Sequence, residues 1–146
     1  MLKKFWRKLF NKFEIISFKQ SFELTDLPLV TFYQGENRFN FLLDTGSNTC
    51  IIDSNVLNKL QYKETDGKSS LYGLEGDKKV QSRCLITLTY KNDEYECDCI
   101  INDMSAAFTH FKQECGVTLH GILGSEFFNK YKYVIDFNEL IAYSKA

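Results

Sequence analysis

The chain has 146 residues, of which 44% are hydrophobic and 25% are charged, a composition typical of globular proteins and not of disordered ones. This length predicts one main domain with a single core. The net charge of −1 hides an asymmetry, because residues 1–12 hold five basic and no acidic residues, which leaves 13 basic and 19 acidic residues in the remainder. That acidic remainder lacks the basic face of a nucleic-acid-binding protein, and we therefore predict no nucleic-acid partner.

The N-terminal segment has the pattern of an amphipathic helix, with basic residues opposite an apolar stripe. The stripe consists of Leu2, Phe5, Trp6, Leu9, Phe10 and Phe13. We predict a basic amphipathic extension over residues 1–20 and the main domain over residues 21–146. Two interpretations stay open for residues 1–13: packing on the body or on a partner subunit, or peripheral contact with an anionic membrane surface. The pattern indicates neither a secretory signal nor a membrane-spanning run.

Five cysteines without a Cys-x-x-Cys pair favour a reducing, cytoplasmic location.

The first half of the main domain reads as short strands. Residues 27–33 and 39–43 predict a hairpin around a turn at residues 34–37, and its second strand leads into Asp44. Residues 48–52 predict a further strand, after which Asp53 or Ser54 caps a short helix through Leu60. The polar stretch over residues 64–79, which contains three glycines, predicts a loop.

The second half contains the clearest period-two pattern, over residues 80–90 and 95–101 on either side of a turn at residues 91–93. Cys97 and Cys99 fall on the apolar face of that hairpin, so we interpret them as small core residues and predict no metal site. Residues 104–114 fit a helix or an irregular loop. Residues 121–124 predict a buried strand, Ser125 begins a helical turn, and residues 131–135 pair with residues 140–143.

Asp44 ends an apolar strand and begins the sequence Asp-Thr-Gly-Ser, which occurs once in the chain. A carboxylate at such a position needs a reason, because an unpaired buried charge is costly. One reason is structural: an aspartate can bond its own backbone in an Asx turn. The other is chemical, because two close carboxylates that share a proton can activate water and protonate a carbonyl oxygen. In the chemical interpretation, the Thr45 hydroxyl ties the turn to its partner, and Gly46 lets the backbone approach the carboxylate.

Residues 41–47 resemble the active-site motif of retropepsin-like aspartic proteases. The serine after the glycine is typical of cellular members, and the long spacing from Asp44 to Gly124 resembles that of cellular or bacterial members. The family's second motif, two apolar residues and a glycine before a short helix, is matched at residues 122–124. A glycine-rich stretch before the long hairpin resembles the flap that covers substrate. The resemblance implies catalytic roles for Asp44, Thr45 and Gly46, supporting roles for Ser47, Ile122, Leu123 and Gly124, and flap roles for Tyr72, Gly73, Leu74, Glu75 and Gly76.

The resemblance also implies a fold and a function. The expected fold is all-β and mostly antiparallel, a closed retropepsin-like barrel with one or two short helices and the N-terminal amphipathic helix. The expected function is an aspartic endopeptidase without cofactor or metal, in which a homodimer contributes one aspartate from each subunit to cleave a peptide or protein substrate. The alternative is a dimeric interaction or scaffold module of this fold with little or no activity, because a motif does not establish turnover.

Overall fold

The computed structural model describes residues 16–72 and 78–145. Its elements, in chain order, are helix α1 (Phe18–Thr25), strands β1 (Leu29–Gln34), β2 (Asn37–Leu43) and β3 (Cys50–Asp53), a 3-10 helix (Ser54–Lys59), strands β4 (Tyr62–Tyr72), β5 (Lys78–Tyr90) and β6 (Asp93–Asn102), helix α2 (Ser105–Cys115), strand β7 (Gly121–Leu123), helix α3 (Ser125–Lys130), and strands β8 (Tyr133–Asp136) and β9 (Ile141–Ser144). Within these ranges, no helix combines the length and apolar character needed to cross a membrane.

Six strands close into a barrel in the order β1-β2-β7-β3-β6-β5. The ring is closed by an antiparallel contact between Tyr33 on β1 and Thr89 on β5. Within this ring of described strands, the β2–β7 and β3–β6 pairs are parallel and the other pairs are antiparallel. Strand β4 pairs with β5 outside the ring, and β8 pairs with β9 in a separate two-stranded sheet. The predicted closed, mostly antiparallel barrel is therefore confirmed.

The two predicted hairpins are also confirmed. Strands β1 and β2 pair out to Gln34 and Asn37, which leaves a two-residue turn in which Gly35 takes a φ of +59°. Strands β5 and β6 pair from Arg83 with Ile100 to Tyr90 with Asp93, and their side chains alternate as expected. Their inward face consists of Cys84, Ile86, Leu88, Tyr95, Cys97 and Cys99, all buried. Burial raises the pKa of the Cys84 thiol to about 11, which is consistent with a packing role for these cysteines.

The prediction of a polar loop over residues 64–79 is wrong for residues 64–72 and 78–79, whereas residues 73–77 lie outside the described residues. Strands β4 and β5 occupy most of this stretch and pair from Tyr62 with Ile86 to Tyr72 with Lys78. Residues 62–64 are exposed, and among the described strands β4 pairs with β5 alone, outside the closed ring. An edge strand of this kind needs no alternation of apolar side chains, and its charges protect the open edge. The period-two criterion therefore missed it.

Helix α1 was not predicted either. Ser17 and Gln20 form a reciprocal capping box at its start, and the helix buries Phe18 and Leu24. Its range spans the predicted boundary between residues 20 and 21, and that division of the chain stays a prediction. Residues 1–13, with the predicted amphipathic helix, lie outside the described residues.

An aromatic cluster fills the barrel around Phe32, which is fully buried. The Phe32 ring meets those of Phe41, Tyr95 and Phe127 nearly edge to face, with ring centroids 5.7, 6.0 and 6.2 Å apart. These contacts join β1 to β2, β6 and α3. Because edge-to-face pairs add to the gain from burial, Phe32 couples the strand that carries Asp44 to the rest of the core.

We predict that Phe32→Ala lowers the free energy of unfolding by about 3 to 5 kcal/mol, because it leaves a cavity among rings that cannot all move inward. Urea unfolding followed by circular dichroism measures this change. Phe137→Ala is the matched control: Phe137 is 56% exposed, and its loss is expected to cost under about 1 kcal/mol. Equal losses for the two variants would contradict this account of the core.

Candidate active site

Asp44 is positioned by strands that are distant in sequence. Strand β7 pairs in parallel with the end of β2, so that Leu43 lies beside Leu123. The Asp44 N–H continues this pairing and donates to the Leu123 carbonyl at 2.9 Å. On its other side β7 pairs antiparallel with β3, where Ile51 lies beside Ile122. The strand before residues 44–49 and the strand after them are therefore both bound to β7, which fixes the two ends of this loop.

We call residues 44–49 the Asp44 loop. Hydrogen bonds between residues two or three apart in sequence hold its shape. The Gly46 N–H donates to Asp44 Oδ1 at 2.9 Å, and the Ser47 N–H donates to the Asp44 carbonyl at 3.2 Å. The Ser47 hydroxyl donates to the Thr49 carbonyl at 2.7 Å. Asp44 is half-buried, whereas Thr45 and Gly46 are exposed. The local geometry is that of an Asx turn, so this turn alone does not distinguish a structural aspartate from a catalytic one.

Helix α3 is joined to the Asp44 loop by its first turn. The Ser125 N–H donates to the Ser47 carbonyl at 2.8 Å, and the Glu126 N–H donates to the Asn48 carbonyl at 3.1 Å. The Ser125 hydroxyl donates to the Thr45 carbonyl at 3.3 Å. Helix-starting N–H groups have no partner within their own helix, and here the loop supplies the acceptors. Ser125, which the sequence analysis treated only as a helix start, is therefore a contact of the loop.

Gly124 allows this close approach. A Cβ atom at Gly124 would lie 2.6 Å from the Ser47 carbonyl oxygen and would also collide with the carbonyl oxygen of Thr49. Both obstacles are backbone atoms, which a side-chain rotation cannot move. The structure thus brings Ser47, Ile122, Leu123 and Gly124 together with Asp44, as the two sequence motifs suggested, and their functional roles remain predictions.

The predicted flap is described only at its edge. Tyr72 ends β4 and pairs with Lys78 on β5. Gly73, Leu74, Glu75 and Gly76 lie outside the described residues, so the flap role of these four positions stays a prediction.

A buried polar network behind the site was missed by the sequence analysis. The Thr31 hydroxyl donates to Asn40 Oδ1 at 2.7 Å, and the Asn40 N–H donates to His120 Nδ1 at 2.8 Å. The His120 carbonyl accepts from the Asp53 N–H at 3.0 Å. The network therefore joins β1, β2 and β3 to the residue that precedes β7. The available signal was a polar residue in each of two apolar strands, but the sequence could not say which groups would pair.

Two thiols meet at the start of β3. Cys50 and Cys99 are strand partners on β3 and β6, and both are buried. A hydrogen bond from Cys99 lowers the pKa of the Cys50 thiol, although burial acts in the opposite direction. The same contact and burial raise the pKa of Cys99. Among residues 16–72 and 78–145, no group of cysteine, histidine and acidic side chains is arranged to hold a metal ion.

The closed barrel and an Asp-Thr-Gly loop fastened to β7 and α3 are the features of a single-barrel acid protease. A family model described as "Aspartyl protease" matches residues 30–127, which is more than half of the chain and includes the Asp44 loop, β7 and the start of α3. The chain belongs to this family, which is of the retropepsin-like type. Comparison with curated proteins finds no match.

We predict that Gly124→Ala lowers the free energy of unfolding by about 3 kcal/mol, because a methyl group has no space between two fixed carbonyl oxygens. Asn129→Ala, on the exposed side of the same helix, is the control and should change the free energy by less than about 0.5 kcal/mol. Urea unfolding of both variants checks the expectation. A Gly124→Ala variant as stable as Asn129→Ala would show that the loop and helix are not packed as described.

Proposed function

We propose that this protein is an aspartic endopeptidase whose catalytic pair consists of Asp44 and Asp44 of a second copy of the chain. The observation that carries the proposal is the position of Asp44 in the structure of an aspartyl protease family member: a half-buried carboxylate in an exposed turn, with its backbone bound to β7. The reaction needs two carboxylates, and the Asp-Thr-Gly sequence occurs once in the chain. A homodimer supplies the second.

The chemistry follows from two carboxylates at close range, which hold one proton between them because both cannot be ionised together. The ionised carboxylate accepts a proton from water as the water oxygen attacks the carbonyl carbon of the peptide bond. The protonated carboxylate donates its proton to the carbonyl oxygen, which gives a tetrahedral diol. When the carbon–nitrogen bond breaks, the carboxyl group that accepted the water proton passes it to the departing amine, and the other carboxylate takes a proton from a hydroxyl of the diol as the carbonyl group re-forms. The two aspartates act as one unit throughout.

The surrounding residues have supporting roles in this proposal. Thr45 and Gly46 are exposed, so they are accessible to a second copy, and the Thr45 hydroxyl is suited to bond across that contact. Ser47, with residues 122–124, holds the loop. An extended peptide would pair with strand edges, with residues 72–76 covering it and apolar side chains in pockets. We further propose a cytoplasmic location. Residues 1–13 are the segment available for peripheral membrane contact, and the charge pattern of that segment supports such contact.

We predict that Asp44→Asn lowers peptide cleavage at mildly acidic pH by on the order of a thousandfold or more, because an amide can neither accept nor donate the proton as the carboxyl group does. A broad peptide library measures activity and specificity together. Asp93→Asn, at the exposed β5–β6 turn, is the matched control and should leave cleavage unchanged. Equal cleavage by wild type and Asp44→Asn would contradict the catalytic role of Asp44.

We also predict that the Asp44→Asn chain inhibits the wild-type chain by subunit exchange. In an equal mixture, about half of the wild-type subunits should remain in fully wild-type dimers, so activity per wild-type chain should fall to about half. Sedimentation measures the dimer directly. A catalytically complete monomer would keep its full activity in the mixture. A wild-type dimer that cleaves no peptide would instead support the scaffold alternative.

A further inference from the structure

Arg83 occupies a distinctive place on the long β4–β5 hairpin. It pairs with Thr65 on β4, but the next pair along the hairpin is Lys68 with Ser82, so residues 66 and 67 bulge out of the register. A bulge bends a strand and increases its local twist. Residues 68–72 and 78–82 form the part of the hairpin beyond the bulge, which we call the distal hairpin. Arg83 thus marks the point where the distal hairpin departs from the barrel.

The Arg83 side chain is only 14% exposed and faces two carboxylates. Its Nε lies 3.0 Å from Asp98 Oδ1 on β6, and its Nη2 lies 3.6 Å from Glu126 Oε2 on α3. The same Nη2 donates to the Asp98 carbonyl at 3.4 Å. Burial lowers the pKa of Arg83, but the two carboxylates outweigh it, and the net shift is upward. Arg83 is therefore a permanent cation that joins β5, β6 and α3.

Glu126 continues this connection to the Asp44 loop. Its own N–H donates to the Asn48 carbonyl at 3.1 Å. The preceding residue, Ser125, donates to the carbonyls of Ser47 and Thr45. Only one residue, Glu126, therefore separates the Arg83 guanidinium from the backbone of the loop that carries Asp44.

We propose that Arg83 is a positioning residue: through Glu126 it ties the base of the distal hairpin to the Asp44 loop, so that the two hold a defined relative position during peptide cleavage. The effect on catalysis rests on the function proposed above, but the effect on the loop does not. Because a fork-shaped guanidinium satisfies two carboxylates at once, lysine would serve only in part.

Amide hydrogen exchange of the full-length chain tests the effect on the loop without requiring turnover. In both Arg83→Gln and Glu126→Gln, we expect residues 44–49 to exchange about fivefold faster than in the wild type. Arg83→Lys should fall between the wild type and Arg83→Gln. The control is Lys130→Gln, which removes the exposed 3.8 Å contact between Lys130 and Glu96 at the other end of α3 and should leave loop exchange unchanged.

Glu126→Gln decides the matter if Arg83→Gln does not fold, because it leaves the contact between Arg83 and Asp98 in place. Wild-type exchange of residues 44–49 in Glu126→Gln would overturn the proposal. So would an acceleration of the same size in Lys130→Gln, because that would indicate general loosening of α3.

Steady-state kinetics test the effect on catalysis. We expect Arg83→Gln and Glu126→Gln each to lower kcat by about fivefold with KM within about twofold of wild type. The double variant should be no slower than the slower single variant, because both changes break one connection. A double variant whose loss in kcat equals the product of the two single losses would overturn the proposed connection. If the wild-type chain cleaves no peptide, the proposed function fails, whereas the exchange experiment still decides whether Arg83 positions the loop.

Discussion

The rest of the candidate site depends on the backbone pairing of one three-residue strand. Strand β7 bonds in parallel to the end of β2 and antiparallel to β3, so it receives the chain on both sides of the Asp44 loop. The space around it is tight: a Cβ at Gly121 would lie 2.5 Å from the Phe41 ring and 2.7 Å from the Ile51 carbonyl oxygen. A side chain there would push β7 away from both neighbours. Glycine is therefore needed at the first position of β7, and again at Gly124 just after it.

This arrangement explains how a carboxylate can stay in a protein with an apolar core and still be available for chemistry. The strands around β7 bury Phe41, Leu43 and Leu123, whereas the turn that follows β2 reaches the surface and leaves Thr45 and Gly46 exposed. The loop is held by its backbone, through the N–H of Asp44 and the carbonyls of residues 45, 47 and 48. The contacts of the loop with β7 and α3 therefore do not require the Asp44 side chain. That side chain accepts one hydrogen bond within the loop, from the Gly46 N–H.

Much of the fold could be predicted from local patterns, because alternation along β5 and β6 and the turn at Gly35 are properties of adjacent residues. Strand β4 could not, because residues 63–70 contain no large apolar side chain and therefore show no alternation. Helix α1 was missed because its sequence signal is the Ser17 and Gln20 capping box, which a period-two pattern does not include. The two motifs of the site were identified separately, but their contact is a parallel pairing between residues 43 and 123. No local propensity specifies such a pairing, and only the resemblance to a family suggested it. The bonds of Asn40 with Thr31 and His120 likewise depend on tertiary geometry.

The contacts with α3 distinguish the Asp-Thr-Gly turn of this chain from an isolated Asx turn. By itself the sequence forms an Asx turn, with Gly46 bonded to Asp44, as many structural turns do. Here the carbonyls of that turn also accept the first N–H groups of α3, which would otherwise lack partners. The loop and the helix therefore supply each other's backbone hydrogen-bond partners, and a change in either one leaves polar groups in the other without partners. The orientation of Asp44 is thus a property of β7, Gly124 and α3 together, and a chain with the same tripeptide but without them would present only a turn.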